Sequence, residues 1–417
     1  MPLRPSNFSR SVATLSVHSR ASSRCFHDFV RASAEGRTYR IPLTSKSLIG
    51  SASSRGTRSY QEDHFSIQGI DVDPLELKLS LKRLSGFDWD PRSLPEPFAG
   101  QILFAGIYDG HGGAAIAEFL QNELHGLFET VDKSMIPAVY AWLKSMGGYF
   151  RRFQGGALTE WVKDPSSPEP LDLEARATLA FLEADRRIAE QIPQSRKMGS
   201  TASVALLQCL DSPPVPFFSS KRLALTVAHC GDTRILLCST DGGQVYSMTQ
   251  KHHAEMRGEA ARLQRMGSGL ITDSYGEARW MGALENTRGF GDGKFKPFGV
   301  TPEPEITTKI KCLTMAVLPL TLCILAPEWA FLVLVSDGVS SVLSDQEVVD
   351  LGRNAPDPQR AAHDILAFAE EMGTEDNATV IVLPLAGWGQ VHGRDKTKDL
   401  RDLRSKQAIG SERQRRM

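Results

Sequence analysis

The chain has no Cys-x-x-Cys pair. Its six cysteines, Cys25, Cys209, Cys230, Cys238, Cys312 and Cys323, are scattered over 417 residues. Neither a disulfide framework nor a thiolate zinc site is expected, and reduced, mostly buried thiols are the default. Net charge is also nearly missing: the formal value is −1, which gives no electrostatic reason for a nucleic-acid partner. Long apolar runs are absent too. The uncharged stretch Cys312 to Ala326 spans fifteen residues with Pro319 inside, short of the roughly 20 that cross a bilayer. It reads as an extra buried strand or hairpin, and membrane association is not expected. Acids are missing from the first 27 residues, where Arg4, Arg10, Arg20 and Arg24 stand among many serines. That composition is typical of a mitochondrial transit peptide and lacks the apolar core of a secretory signal.

What the chain has is a set of acids beside apolar segments. Asp109 lies in Tyr108-Asp109-Gly110-His111-Gly112-Gly113, and the others are Glu62-Asp63, Asp232 in Cys230-Gly231-Asp232-Thr233-Arg234, Asp337-Gly338 and Asp376-Asn377. A carboxylate abutting a core must be paired or bound to a cation to offset its desolvation. Several of them converging would make a hard-metal site. Oxygen ligands suit Mg2+ or Mn2+, and surroundings poor in histidine and thiol argue against zinc.

Ile102 to Tyr108, Ser203 to Leu207, Leu223 to Ala228, Arg234 to Cys238, Phe331 to Val335 and Ala378 to Leu383 are short and aliphatic, bounded by Gly, Asp, Ser or Pro. They read as strands, and several are apolar throughout, so their sheets should be covered on both faces. Helical stripes run from Ala114 to Val131 and from Leu173 to Ile192. Ser344 with Glu347 forms a capping-box pattern, while Asp357-Pro358 opens a last helix that Gly373 is placed to end. Leu84 to Gly100, Trp161 to Pro170 and Asp211 to Ser220 concentrate Pro, Ser and Asp and read as loops. After Gly387 the chain turns polar with mixed charge, as a solvated tail would. Pattern alone leaves two arrangements open, sheets sandwiched by helix pairs or a parallel α/β sheet.

Seven motifs carry a family likeness: Arg58-Ser59-Tyr60-Gln61-Glu62-Asp63, Asp109-Gly110-His111-Gly112-Gly113, Gly199-Ser200-Thr201-Ala202, Gly231-Asp232-Thr233-Arg234, Thr287-Arg288-Gly289-Phe290-Gly291-Asp292, Ser336-Asp337-Gly338 and Asp376-Asn377-Ala378-Thr379-Val380. In this order they resemble the metal-dependent protein phosphatase family, protein phosphatase 2C, over roughly residues 50 to 385, with mitochondrial fungal-type members the nearest likeness. The resemblance implies an α+β fold: a four-layer α/β/β/α sandwich of two packed antiparallel sheets flanked by helices. It also implies three regions, with residues 1–40 as transit peptide and linker, 41–386 as the catalytic domain and 387–417 as a polar basic tail.

The implied activity is hydrolysis of phosphoserine and phosphothreonine by a hydroxide bridging two Mn2+ or Mg2+ ions, about 4 Å apart in such sites. Carried over by position, Asp109 would bridge the metals, the Gly110 carbonyl would bind one, and Asp337 and Asp376 would complete its ligands. Glu62 and Asp63 would serve the other, partly through water. Arg58 would grip phosphate oxygens, although Arg55 stands in the same Ser/Gly/Arg-rich stretch. His111 would protonate the leaving alkoxide, or else hold Asp109 in place. Asp232 would bind a third metal with Asp337 and an acid four residues beyond it, but that position is Ser341. Thr201 would start a strand or touch substrate, and Asp292 would order a loop through Arg288 or backbone amides. Lys251-His252 stands where relatives commonly have Asp-His.

The implied partner is a phosphoprotein, with a pyruvate dehydrogenase complex subunit as one candidate. Two readings compete: a catalytically inactive, phosphatase-shaped binding protein, and a two-metal phosphodiesterase or nuclease, which the near-neutral charge disfavours.

Overall fold

The structure is a computed structural model that describes residues 27–264, 270–272, 278–309, 324–325 and 329–408. Two antiparallel sheets lie face to face. In the first, spatial order is Glu305–Lys309, Arg222–Cys230, Ala202–Cys209, Gln101–Tyr108 and His64–Asp71, with Ile324–Leu325 pairing at Leu223 and Arg222. In the second it is Val245–Ser247, Arg234–Ser239, Trp329–Val335, Ala378–Pro384 and Gly50–Ser54. Every pairing in these sheets is antiparallel, which decides against the parallel alternative.

The two-residue period of a strand explains why these segments are apolar throughout. Leu103, Ala105 and Ile107 point inward and meet Ile235, Leu237, Leu332, Leu334, Ile381 and Leu383 of the second sheet. Ile102 and Phe104 point outward and pack under the helices Ala115–Thr130 and Leu173–Gln191. On the opposite outer face Leu236, Phe331, Val333 and Val380 pack under Asp345–Gly352 and Pro358–Glu371. The result is the four-layer α/β/β/α order. The capping box forms at Ser344 and Glu347, and Asp357 caps the following helix. Of the three expected loops, two contain short helical turns, Pro91–Ser93 and Phe217–Ser219, and the third begins inside the short helix Thr159–Lys163. Cys230 and Cys238 are buried and Cys209 half-buried, all three free.

One buried ion pair locks the helical layer over the first sheet. Arg176 Nη2 donates to Glu76 Oε1 at 2.8 Å, and Nη1 donates to the carbonyls of Phe128 at 2.7 Å and Val131 at 3.1 Å. It thereby satisfies carbonyls left open at the end of helix Ala115–Thr130. Arg176→Ala would strand the Glu76 carboxylate at 7% exposure. We expect a loss of about 3–5 kcal/mol, read as a lower urea midpoint with unchanged slope.

Both expected region boundaries need correction. The one after residue 40 falls inside a hairpin, Phe29–Ala34 with Arg37–Pro42, whose Val30 and Ala32 are buried and whose start is tied to the first sheet by main-chain bonds between His27 and Gly69. The Arg-rich context hid this alternation. Cleavage beyond about Phe29 would remove part of the fold; residues 1–26, the bulk of the expected transit peptide, lie outside the described residues.

The expected solvated tail is docked from Gly387 to Ala408. Trp388 packs against Phe331, Arg353 donates to the carbonyls of His392, Gly393 and Arg394, and Arg404 of helix Lys398–Ala408 donates to the carbonyl of Val342 at 2.7 Å and pairs with Glu347. These anchors are mostly charged and carry no apolar periodicity, so hydrophobic patterning could not find them. Most of Cys312 to Ala326, and the terminal Glu412 to Met417, lie outside the described residues. No helix among the described residues is long and apolar enough to cross a membrane.

Candidate active site

Asp109 follows the innermost stretch of strand Gln101–Tyr108, and its backbone is clamped by Thr201. The Thr201 N–H donates to the Asp109 carbonyl at 2.8 Å, and the Thr201 hydroxyl accepts from Asp109 N–H at 3.3 Å. Of the two roles considered for Thr201, the structural one is therefore directly visible. Gly110-His111 then pairs with Gly199-Ser200, which pairs with Phe290-Gly291. Gly110 cannot carry a side chain here, since a Cβ would lie 2.6 Å from the Glu62 carbonyl oxygen. Gly112 and Gly113 take φ of 73° and 135°, turning the chain back into its helix.

The remaining acids arrive from strand ends of both sheets. Asp337 follows strand Trp329–Val335, and its N–H lies 3.4 Å from Asp109 Oδ2. Ser336 donates to Asp63 Oδ2 at 2.7 Å and accepts from Thr379 N–H at 2.9 Å, tying three chain segments together. Asn377 does the same work in the next turn. Its Oδ1 accepts from Glu62 N–H at 2.6 Å, and its Nδ2 donates to the carbonyls of Arg55 and Tyr60. Ser336 and Asn377 stand inside quoted motifs, yet sequence reasoning gave them no role; only their place next to Asp337 and Asp376 hinted at one.

Arg58, Glu62, Asp109, Gly110, His111, Asp232, Asp337 and Asp376 all line one cleft of about 340 Å3. Asp63 lies behind it, 4% exposed. Arg58 donates to Asp376 Oδ2 at 2.7 Å, so the residue expected to grip phosphate is paired with an expected metal ligand. His111 Nε2 lies 2.8 Å from Asp292 Oδ2. This corrects the reading of Asp292 as a partner of Arg288, which instead pairs with Glu259 at 2.8 Å. His252, standing in the Lys251-His252 variant, accepts from Gly231 N–H at 3.0 Å and so braces the Asp232 turn.

The electrostatics are those of a cation site. Burial, with the charges of Asp337, Asp63 and Asp232, holds the Asp109 carboxyl well above the usual carboxylate range. Burial and Asp232 push Asp337 up to about 7, and burial pushes Asp63 up to about 6. Among the described residues Asp63 Oδ1 is buried without a hydrogen-bond partner. Clustered carboxylates that retain protons, plus an orphaned carboxylate oxygen, fit hard divalent cations, which would replace those protons. Burial alone would lower the His111 proton affinity, but the Asp292 carboxylate outweighs it and the net direction is upward.

Known proteins resemble this chain in sequence and in fold. The Protein phosphatase 2C family profile matches residues 99–378. Protein phosphatase 2C homolog 4 of Schizosaccharomyces pombe is 34% identical over 304 residues, 72% of this chain and 75% of its own length. Protein phosphatase 1K, mitochondrial, of Xenopus laevis is 28% identical over 355 residues, 84% of this chain and 71% of its own. Among solved structures, a phosphatase from Toxoplasma gondii superposes with TM-score 0.52 at 16% identity, covering 82% of this chain and 95% of that one. A C. elegans sex-determining protein superposes with TM-score 0.51 at 18% identity, covering 87% and 69%. These two likenesses show the fold.

The family match and the relatives define a metal-dependent serine/threonine protein phosphatase. The chain belongs to the protein phosphatase 2C family.

Proposed function

We propose that this chain removes phosphate from serine and threonine side chains of a mitochondrial phosphoprotein with two Mn2+ or Mg2+ ions held by Asp109, the Gly110 carbonyl, Asp337, Asp376, Glu62 and Asp63. The observation that carries the reading is the meeting of Asp109, Gly110, Asp337, Asp376 and Glu62 from both sheets at one cleft, with Asp63 directly behind it and Asp109, Asp337 and Asp63 all driven to hold protons in the absence of cations. When bound, such ions supply a nucleophilic water at neutral pH and neutralise phosphate charge. Arg58, exposed at the rim, swings between Asp376 and a substrate phosphate, for which its planar fork is suited. His111, oriented by Asp292, delivers a proton to the departing alkoxide, a task that its raised proton affinity favours near neutrality.

The test is phosphate release from a phosphoserine peptide panel by residues 27–408, with Mn2+ and with chelator. Equal or absent release in both would refute the reading. His111→Ala should slow phosphoserine release about 10²–10³-fold, while p-nitrophenyl phosphate, whose leaving group needs no proton, falls under tenfold. An equal loss on both substrates would remove the acid role.

Residues 1–26 would direct import, as their composition and the mitochondrial Xenopus relative both support. Fusion of residues 1–26 to a fluorescent protein checks this, and a cytosolic signal would refute it. A phosphorylated pyruvate dehydrogenase complex subunit is the substrate to assay first.

A further inference from the structure

Asp185 and Lys296 form an ion pair, with Nζ 2.8 Å from Oδ2 and each residue 2% exposed. Two buried charges are poor glue, since apolar side chains of similar volume would join these segments as well or better. What the pair adds is direction. Asp185 Oδ1 accepts from Gly291 N–H at 2.8 Å, and Lys296 Nζ donates to the Gly289 carbonyl at 2.8 Å. The two charges grip both ends of Gly289-Phe290-Gly291, which runs straight into Asp292. One turn before Asp185 on helix Leu173–Gln191, Phe181 packs against Phe290, with ring centroids 5.2 Å apart.

That stretch needs holding. Asp292 takes a φ of 48°, a left-handed conformation that an L side chain resists. From there its carboxylate meets His111 directly over Gly199, where a Cβ would lie 2.3 Å from Asp292 Oδ2 and 2.4 Å from His111 Nε2. A contact packed this closely moves when the turn moves. Main-chain bonds from Asp292 N–H to the Met198 carbonyl at 2.8 Å and from Gly293 N–H to the Ser195 carbonyl at 3.1 Å hold the far side. Without the ion pair the turn would therefore shift rather than come apart.

We propose that the Asp185–Lys296 pair is a positioning device for proton delivery: it fixes the Gly289–Asp292 turn so that Asp292 aims His111 at the leaving oxygen. The inference rests on the reading of His111 as the general acid. With Nε2 engaged by Asp292, the proton passed to the alkoxide leaves Nδ1, that N–H bond breaking as the serine O–H bond forms. A ring rotated by a displaced Asp292 offers the proton off line, and a misplacement of about 1 Å can cost 10²-fold. Both members of the pair lie outside the cleft lining, so they act only through the turn.

In the full-length protein, Lys296→Met should lower kcat on a phosphoserine peptide about 10–100-fold with KM within about twofold. Turnover of p-nitrophenyl phosphate, whose leaving group needs no added proton, should fall at most about threefold. Because Lys296→Met alone strands the Asp185 carboxylate, Asp185→Leu combined with Lys296→Met removes both charges at once. That double variant should keep at least the wild-type urea midpoint and show the same selective loss. Placed on His111→Ala, it should add under about twofold, since no ring is left to aim. Equal loss on both substrates, or a loss that multiplies in full with that of His111→Ala, overturns the positioning role. So does a double variant with wild-type phosphoserine turnover, or one that fails to fold, which would mark the pair as structural. Failure of the acid reading looks different, because His111→Ala itself would then lose equally on both substrates.

Discussion

Asp109→Asn should cut Mn2+-dependent turnover of a phosphoserine peptide by at least about 10³-fold, against the roughly tenfold cost of each 1.36 kcal/mol of lost stabilisation. The side chain is half-buried where it lines the cleft, and three other acids, Asp337, Asp63 and Asp232, direct their charge at it. Its Oδ2 lies 3.4 Å from the Asp337 N–H, so the carboxylate stands where ligands from both sheets meet. An amide has nearly the same shape but no charge to hold a dication, and its nitrogen would point a donor at the ion. Loss of activity should therefore come with loss of metal binding rather than of fold. Calorimetric Mn2+ titration and circular dichroism distinguish the two: the variant should keep the wild-type spectrum and lose the high-affinity isotherm. A variant that still bound two Mn2+ ions with wild-type affinity would sink the assignment of Asp109 as the shared ligand.

Why this site could be read from sequence while its supports could not has a physical cause. Asp109 and Asp337 stand where an apolar run ends and Asp376 just before one begins, and a carboxylate beside such a run needs a partner; this is a local pattern visible along the chain. The six strands were legible for the same reason, since strands covered on both faces are apolar at every position. Direction was not legible, because a continuous apolar strand looks the same in a parallel or an antiparallel sheet.

The supports are long-range. Asn377 reaches back to Glu62, Tyr60 and Arg55, Ser336 to Asp63, and Asp292 to His111. A single sequence carries no record of which polar residues meet across hundreds of positions. Arg58 shows the cost of this: its type and spacing suggested phosphate, while its contact with Asp376 needed the fold.

Asp337→Asn should make the metal-free protein more stable, increasingly so as pH rises. A half-buried carboxyl raised from 3.8 to about 7 keeps its proton in the folded state where the unfolded chain has released it. The group therefore leaves stability intact below about pH 4 and withdraws it as pH climbs through 7. At 1.36 kcal/mol per unit, the withdrawn amount at pH 8 is on the order of 4 kcal/mol. Asp63, raised to about 6, runs in the same direction. The raw pH curve mixes in other groups. His229 and His252 have lowered proton affinities, chiefly through burial, so they favour folding more as pH rises through 6.5. Taking the difference between wild type and Asp337→Asn in chelator removes them, since both proteins share these histidines.

That difference should be near zero at pH 3, about 1 kcal/mol at pH 4.5 and several kcal/mol in favour of the variant by pH 8, measured from urea midpoints. Saturating Mn2+ should reverse the order, because metal binding stabilises only the protein that keeps the carboxylate. Wild type should then be the more stable at pH 8, by RT ln(1 + [Mn2+]/Kd) less the apo deficit. A variant equally stable with wild type in chelator at every pH would mean that Asp337 is not held protonated by its neighbours. A variant gaining as much from Mn2+ as wild type would mean that it is not a ligand. The two failures are separable, which makes this one substitution a test of both the electrostatics of the cleft and its chemistry.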